Sequence, residues 1–145
     1  MSFELRVNQL TPDVLIAFRL SAGWNAGTPE QAARAVANSL CTVTAVEDGR
    51  VIGIGRMIGD GALKNYLEDI VVLPECQGRG VGSAVVRRLL EAARADALDG
   101  TQLDVGLCAA KGKEPFYASL GFFTLPTEDR GHYMEQRVLD GRPRK

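Results

Sequence analysis

The spacing of apolar residues changes along the chain, and each change predicts a new element. At 3–7 apolar and polar residues alternate weakly, which favours a first strand. Thr11-Pro12 and Thr28-Pro29 each place an N-cap residue before a proline, and they predict helices that end near Ser21 and Ser39. The N-terminal region is therefore predicted to be one strand followed by two helices.

The middle of the chain is predicted to hold a hairpin, a further strand and a long helix. Asp48-Gly49 separates the strand-like runs 42–47 and 51–58, and this dipeptide favours a tight turn between antiparallel strands. A strand at 64–73 is closed by Pro74. From Ser83 to about Ala97 the apolar residues share one broad helical face, which we expect to pack on the sheet.

The C-terminal third is predicted to alternate strands with one short helix. Strands are expected at 103–109, 122–125 and 134–139, and a helix at 114–120 is expected to end at Gly121. Residues 141–145 form a short polar tail. These elements predict an α/β protein that folds as a single domain over residues 1–145.

Composition limits the classes of function. The chain has 145 residues, a formal net charge of −1 and 46% hydrophobic residues, which favours one globular domain and gives no basis for a nucleic-acid-binding surface. The N-terminus lacks the apolar core of a signal peptide, and no apolar stretch approaches the roughly 20 residues of a membrane span. We expect a cytoplasmic protein that binds neither nucleic acid nor membrane.

A glycine-rich loop between the strand at 64–73 and the long helix is the strongest chemical signal. Three glycines at alternate positions let the backbone approach a ligand and turn several N–H groups the same way. The helix that follows presents the positive end of its dipole at that point. We predict that the loop binds an anion, with a pyrophosphate as the favoured candidate. Its residues are Gln77, Gly78, Arg79, Gly80, Val81, Gly82 and Ser83.

Three kinds of phosphate-binding loop compete, and their spacing separates them. The Walker pattern Gly-x-x-x-x-Gly-Lys-[Ser/Thr] has no match in this chain. A dinucleotide fingerprint needs its third glycine one residue later, and Asp104 lies near the start of its strand instead of the end. The pattern that fits is Gln-x-x-Gly-x-Gly, which Gln77, Gly80 and Gly82 fill.

This loop resembles the acyl-CoA-binding signature of the GCN5-related N-acetyltransferase (GNAT) family. The order of elements resembles that family over essentially the whole chain, and Phe116-Tyr117-x-x-x-Gly121-Phe122 resembles its Phe-Tyr-x-x-x-Gly-Phe segment. The resemblance implies the GNAT fold, a mixed and mostly antiparallel sheet of about six or seven strands flanked by about four helices. It also implies a bulge near Val71, acetyl-CoA as cofactor, direct acetyl transfer to a primary amine, and a homodimer.

Several residues are candidates to bind acetyl-CoA. The main chain of Ile70, Val71 and Val72 can pair with the two pantetheine amides as an added strand, and the resemblance implies the same placement. The candidates for the 3′-phosphate, with an ordinary surface charge as the alternative, are Arg79, Arg87, Arg88, Lys111 and Lys113. Phe116 is assigned to the cofactor by its position in the second motif. Ala110 stands where many family members have an asparagine.

Two residues are predicted to move protons. Tyr117 is the candidate donor to the departing thiolate, because giving a phenol proton to a thiolate costs only about 2 kcal/mol. Glu68 lies where the resemblance implies a carboxylate that accepts the amine proton through water. The alternatives are a packed tyrosine and a structural ion pair, and Asp69 is predicted to be structural.

The acceptor pocket is predicted from the same resemblance, which places it at the first two helices, their connecting loop and the C-terminal hairpin. We expect a small amine such as an amino sugar, amino acid or polyamine; a protein acceptor, a silent acyl-CoA sensor and a dinucleotide-dependent redox enzyme remain alternatives. No metal site is expected, because Cys41, Cys76, Cys108 and His132 lack chelating spacing. The candidates for acceptor binding are Trp24, Asn25, Arg56, Tyr66 and His132.

Overall fold

A computed structural model describes residues 2–139 and the backbone of 142–143. It divides into two compact units, Met1–Leu107 and Cys108–Lys145. The single domain over residues 1–145 stays a prediction. Among the described residues, none of the helices combines the length and the apolar composition that crossing a bilayer requires.

The first unit consists of three α-helices and a five-stranded sheet. Its hairpin and its first three helices confirm the predicted elements, although the third helix begins at Val81 instead of Ser83. The elements are β1 Glu4–Val7, α1 Pro12–Ser21, α2 Pro29–Ala37, β2 Cys41–Glu47, β3 Arg50–Gly59, β4 Lys64–Val72, a 3₁₀ turn Pro74–Cys76, α3 Val81–Asp96 and β5 Asp104–Gly106.

Both N-terminal helices begin where their capping residues predict. The Thr11 hydroxyl accepts a hydrogen bond from the Val14 N–H at 3.3 Å. The Thr28 hydroxyl accepts from the Gln31 N–H at 3.1 Å, while the Gln31 side chain accepts from the Thr28 N–H at 2.8 Å. This second pair is a capping box, which satisfies two backbone donors at once.

The sheet has the order β1-β2-β3-β4-β5. The first three pairings are antiparallel and the β4–β5 pairing is parallel, so the sheet is mixed and mostly antiparallel, as expected. Asp48 and Gly49 have φ angles of 49° and 75°, which is the left-handed conformation that a type I′ turn requires at both positions. The predicted strand at 103–109 is too long, because β5 is confined to the three residues around Val105.

The helices cover both faces of the sheet. Ile54 joins Leu15 and Phe18 in the apolar cluster beneath α1 and α2. The next residue, Gly55, faces α3: an added Cβ would lie 2.6 Å from Val85 Cγ1. Glycine at this position therefore lets α3 approach the centre of the sheet closely.

The second unit contains α4 Glu114–Ser119 and a small antiparallel pair, β6 Val138–Leu139 and β7 Arg142–Pro143. The predicted short helix is confirmed, but the strands predicted at 122–125 and 134–139 are wrong except at Val138–Leu139. The Phe122 N–H donates to the Tyr117 carbonyl at 3.2 Å and so is not available to a sheet partner. The polar run 135–137 lacks the alternation of a strand. The predicted tail at 141–145 lies outside the described residues apart from the backbone of 142–143.

Candidate active site

The glycine-rich loop is held at the end of β4 by backbone hydrogen bonds. The Leu73 N–H donates to the Ile52 carbonyl at 2.9 Å, and the Cys76 N–H donates to the Leu73 carbonyl at 2.9 Å. Cys76 is buried, whereas the following four residues are exposed. The chain therefore leaves the sheet through one tight turn and returns to it at α3.

Two glycines give the loop its shape. Gly78 and Gly80 have φ angles of 77° and 82°, which glycine adopts without steric cost. A Cβ built on either residue would meet nothing within 4 Å, so the space next to the backbone is open. Gly80 is the N-cap of α3, and no side chain caps that end of the helix. The first N–H groups of α3 therefore remain available for an anion.

Two polar side chains of the loop bind within the first unit. The Gln77 side-chain amide donates to the Val72 carbonyl at 3.1 Å and ties the loop to β4. Arg79 forms an ion pair with Glu47, and its guanidinium donates to the Ser2 hydroxyl at 2.9 Å. The hydrogen bonds from Arg79 and then Ser2 lower the pKa of Glu47 to about 2. Glu47 therefore offsets part of the positive charge that Arg79 brings to the loop.

A β-bulge lies in β4 just before the loop. Glu68 is opposite Arg56 and Val71 is opposite Ile54, so two residues of β4 face the single Gly55 of β3. These two residues are Asp69 and Ile70, one more than β3 has at this point. The expected bulge is thus present, directly before Val71.

The edge of β4 is paired with β5 over only part of its length. The parallel ladder with β5 ends at Tyr66 and Gly106, while β4 continues to Val72. Ile70, Val71 and Val72 lie in this final part, immediately before the loop. An extended ligand placed along them could continue from a sheet edge to a helix N-terminus.

The bulge holds a buried ion-pair cluster. The Asp69 side chain is only 2% exposed and accepts hydrogen bonds from two arginines, Arg19 of α1 and Arg56 of β3. Arg56 Nε lies 2.7 Å from Asp69 Oδ2. Arg56, a predicted acceptor ligand, is thus already bound to a carboxylate, and it lies directly across from the predicted base Glu68.

Arg19 is the residue of this site that sequence reasoning missed. Its Nε donates to the Asn25 carbonyl at 2.7 Å, and its guanidinium carbon lies 5.9 Å from the centre of the Trp24 ring. The cluster therefore brings together three of the predicted acceptor residues, Trp24, Asn25 and Arg56. Arg19 lies four residues after the buried Leu15, which indicates a position beside the apolar face of α1, but no local pattern names its distant partner.

In the second unit, Tyr117 belongs to a cluster of aromatic rings. Its ring lies edge-on to Phe116 at 4.9 Å and to Phe122 at 5.9 Å between centroids. Gly121 adopts a φ of 94°, which turns the chain so that Phe122 returns to Tyr117. Burial raises the pKa of the Tyr117 phenol, so the hydroxyl keeps its proton at neutral pH.

The remaining predicted residues are less constrained. Tyr66 is partly exposed, with Lys64 Nζ 5.0 Å from its ring centre. Lys111, Lys113 and His132 are exposed. Within the part of the chain that the structure describes, no three His, Cys, Asp or Glu side chains gather closely enough to hold a metal ion.

Comparison with known sequences identifies relatives of this chain. The model of the Acetyltransferase (GNAT) family matches residues 12–122. Serotonin N-acetyltransferase 2, chloroplastic, from Oryza sativa subsp. japonica is 36% identical over 83 residues, which cover 57% of this chain and 40% of the rice protein. The matched part thus spans less than half of that relative.

Solved structures share the fold. A probable acetyltransferase of unknown function from meticillin-resistant Staphylococcus aureus has a TM-score of 0.81 and 29% identity, covering 94% of this chain and 99% of that chain. A GNAT family acetyltransferase from Streptococcus pneumoniae has a TM-score of 0.76 and 25% identity, covering 93% of this chain and 98% of that chain.

Proposed function

Because this chain belongs to the acetyltransferase (GNAT) family, we propose that it transfers an acetyl group from acetyl-CoA directly to the primary amine of a small molecule. The observation that carries the proposal is the uncapped start of α3 behind two left-handed glycines, at the end of a bulged strand. The uncapped start of α3 would bind an anion, and the end of the bulged strand would pair with an extended chain of amides. Acetyl-CoA contains both, joined in that order.

The residues of the first unit fit such a ligand. Open space beside Gly78 and Gly80 admits a bulky phosphate, and the N–H groups of Val81, Gly82 and Ser83 supply donors. When bound, acetyl-CoA supplies an activated acetyl thioester. The main chain of Ile70–Val72 would hold its pantetheine arm, and Lys111, Lys113 and Phe116 are proposed as further contacts.

Proton transfer is assigned to two side chains. Glu68 accepts, through water, the proton that the amine loses as its nitrogen bonds to the acetyl carbon. Tyr117 gives a proton to the sulfur as the carbon–sulfur bond breaks. The buried phenol is protonated at the outset, as a proton donor must be.

A small acceptor is favoured over a protein. The loop that carries Trp24 and Asn25 is short and is tied to β4 through Arg19, which suits a preformed pocket. The name of the rice relative specifies serotonin, a small molecule with a primary amine. Tyr66 and His132 are proposed as additional acceptor contacts. The cytoplasmic location stays a prediction.

The proposal is tested by measuring thiol release from acetyl-CoA in the presence of amino sugars, amino acids, polyamines and arylalkylamines. Acetylation of at least one amine, confirmed by mass spectrometry of the product, supports it. Acetylation of lysine peptides alone would move the acceptor to the protein class. Tight binding of acetyl-CoA without transfer to any acceptor would favour a sensor.

We also propose that two copies of the chain associate. Large apolar side chains are concentrated on the surface of the second unit, with Phe123 70% exposed and Met134 88% exposed. The β6–β7 pair has two residues per strand, which is too short to be stable alone and favours packing against a further copy. Light scattering after size exclusion should give the mass of a dimer. A monomer mass at a protein concentration of about 100 μM would contradict this proposal.

A further inference from the structure

The Asp69 carboxylate joins the bulge to α1 and to β3 by ion pairs with Arg19 and Arg56. Its φ of 53° is unusual for a residue other than glycine, and its side chain is almost fully buried. Arg56 holds one carboxylate oxygen and Arg19 the other. A buried carboxylate with both oxygens bound fixes the direction of both arginines.

Arg19 extends this cluster to the loop between α1 and α2. One guanidinium nitrogen binds Asp69, another donates to the Asn25 carbonyl at 2.7 Å, and the guanidinium lies near the Trp24 ring at 5.9 Å. The Trp24 backbone N–H also donates to the Arg19 carbonyl at 3.0 Å. One side chain therefore connects the β4 bulge with a loop that carries two predicted acceptor residues.

The loop needs such a connection because of its own sequence. Gly23 and Gly27, with φ angles of 76° and 72°, flank Trp24 and Asn25. Glycines place little restriction on the backbone, so the conformation of the loop depends on contacts made elsewhere. The Asn25 side chain gives one, since its Oδ1 accepts from the Gly27 N–H at 3.0 Å. The contacts that reach beyond the loop include those of Arg19.

We propose that Arg19 and Asp69 are positioning residues that fix the acceptor loop against the β4 bulge and thereby set the affinity for the amine. This inference rests on the proposed function, because it assigns the loop to the acceptor. The proposal gives neither residue a contact with the reacting atoms. Their effect is therefore expected on the KM for the amine, with little effect on acetyl-CoA affinity.

Lysine is the sharpest substitution at position 19. Lysine keeps the positive charge and the alkyl stem. Its single ammonium, however, lacks the planar guanidinium with which Arg19 binds Asp69 and Asn25 at the same time and lies near Trp24. Arg19→Lys should therefore free the loop without leaving Asp69 unpaired. Asp69→Asn tests the other end of the connection, because it removes the charge that directs Arg19.

Trp24 is the only tryptophan of the chain, so its fluorescence reports on the loop without any need for activity. In Arg19→Lys we expect emission at longer wavelength and stronger quenching by acrylamide. The KM for the amine should rise about tenfold while kcat changes less than about threefold. Arg34→Lys is the matched control, since Arg34 is a 77% exposed arginine of α2 paired only across a helical turn, and it should change neither readout.

The outcomes separate this inference from the proposed function. Unchanged Trp24 emission and quenching in a folded Arg19→Lys protein overturn it, whether or not any amine is acetylated. A quenching change accompanied by an unchanged KM for the amine also overturns it, because the loop would then have no part in acceptor binding. If the variant loses its circular dichroism signal, Arg19→Gln with the same fluorescence readout replaces it.

Discussion

At the scale of single residues, Tyr117 carries the most specific chemical assignment. Tyr117→Phe removes only the hydroxyl and leaves the ring that packs on Phe116 and Phe122. Turnover should fall about tenfold to a thousandfold while acetyl-CoA affinity stays nearly unchanged. Tyr133→Phe is the matched control at an exposed tyrosine of the same unit. Steady-state kinetics with calorimetry measures both quantities, and unaltered turnover would exclude Tyr117 as the proton donor.

The raised pKa of Tyr117 has a separate consequence for stability. Burial makes the folded state hold the phenol proton more tightly than the unfolded state does. The contribution of the protonated phenol to the free energy of unfolding is therefore fully present below its pKa in the unfolded state, about 10. It is lost as the pH rises through its pKa in the folded state. The free energy of unfolding should fall with pH above about 10, and Tyr117→Phe should reduce that slope. Urea denaturation on the alkaline side measures it, and equal slopes in both proteins would contradict the assigned burial effect.

Glu47 offers a test of the charge in the loop. Its ion pair with Arg79 should persist until the pH falls toward about 2, the lowered pKa of Glu47, because the pair is lost only when that carboxylate takes up a proton. At neutral pH, Glu47→Gln removes the negative partner of Arg79. Acetyl-CoA should then bind about twofold to fivefold more tightly at low salt, and the gain should shrink at high salt. Weaker binding in calorimetry would indicate that Glu47 instead holds the loop in shape.

At the scale of elements, the loop between β4 and α3 is the feature whose proposed function is most sensitive to a single substitution. Gly80→Asp adds a side chain and a negative charge to the open space in front of the helix N-terminus. Acetyl-CoA affinity should fall at least about a hundredfold, since the charge repels phosphate and the side chain fills the site. Gly100→Asp is the control, because Gly100 also has a positive φ and open surroundings but follows the other end of α3. Normal binding in Gly80→Asp would mean that the loop has another role.

How well an element could be predicted depended on how local its determinants are. The capping threonines, the Asp48-Gly49 turn and the apolar face of α3 are local signals, and each corresponds to an observed element. The strands predicted at 122–125 and, apart from Val138–Leu139, at 134–139 are wrong, because a strand depends on a partner that local sequence does not identify. Phe122 instead returns to its own helix through Gly121.

The candidate site likewise has features that local sequence indicates and contacts that it does not. The glycine spacing indicated the loop, and its left-handed backbone at Gly78 and Gly80 agrees with that expectation. The contact of Arg19 with Asp69 spans 50 positions of sequence, so no local pattern could reveal it. The bulge that brings Asp69 inward is likewise a property of the β3–β4 register.

At the scale of the whole molecule, the sequence motifs and the fold both belong to the GNAT family. The family model covers residues 12–122, which include both motifs. The formal charge of −1 offers no general attraction for a polyanion, so the proposed binding of acetyl-CoA depends on local groups. We propose that the uncapped start of α3 and the sheet edge at Ile70–Val72 are these groups.

Calorimetric titration of the purified protein with acetyl-CoA, with CoA, NADP and ATP as competitors, tests directly whether the glycine-rich loop binds acetyl-CoA. We expect selective binding of acetyl-CoA and CoA, and loss of that binding in Gly80→Asp but not in Gly100→Asp. Binding of NADP or ATP in preference to the CoA ligands, or equal binding by both glycine variants, would contradict the assignment of this loop to acetyl-CoA.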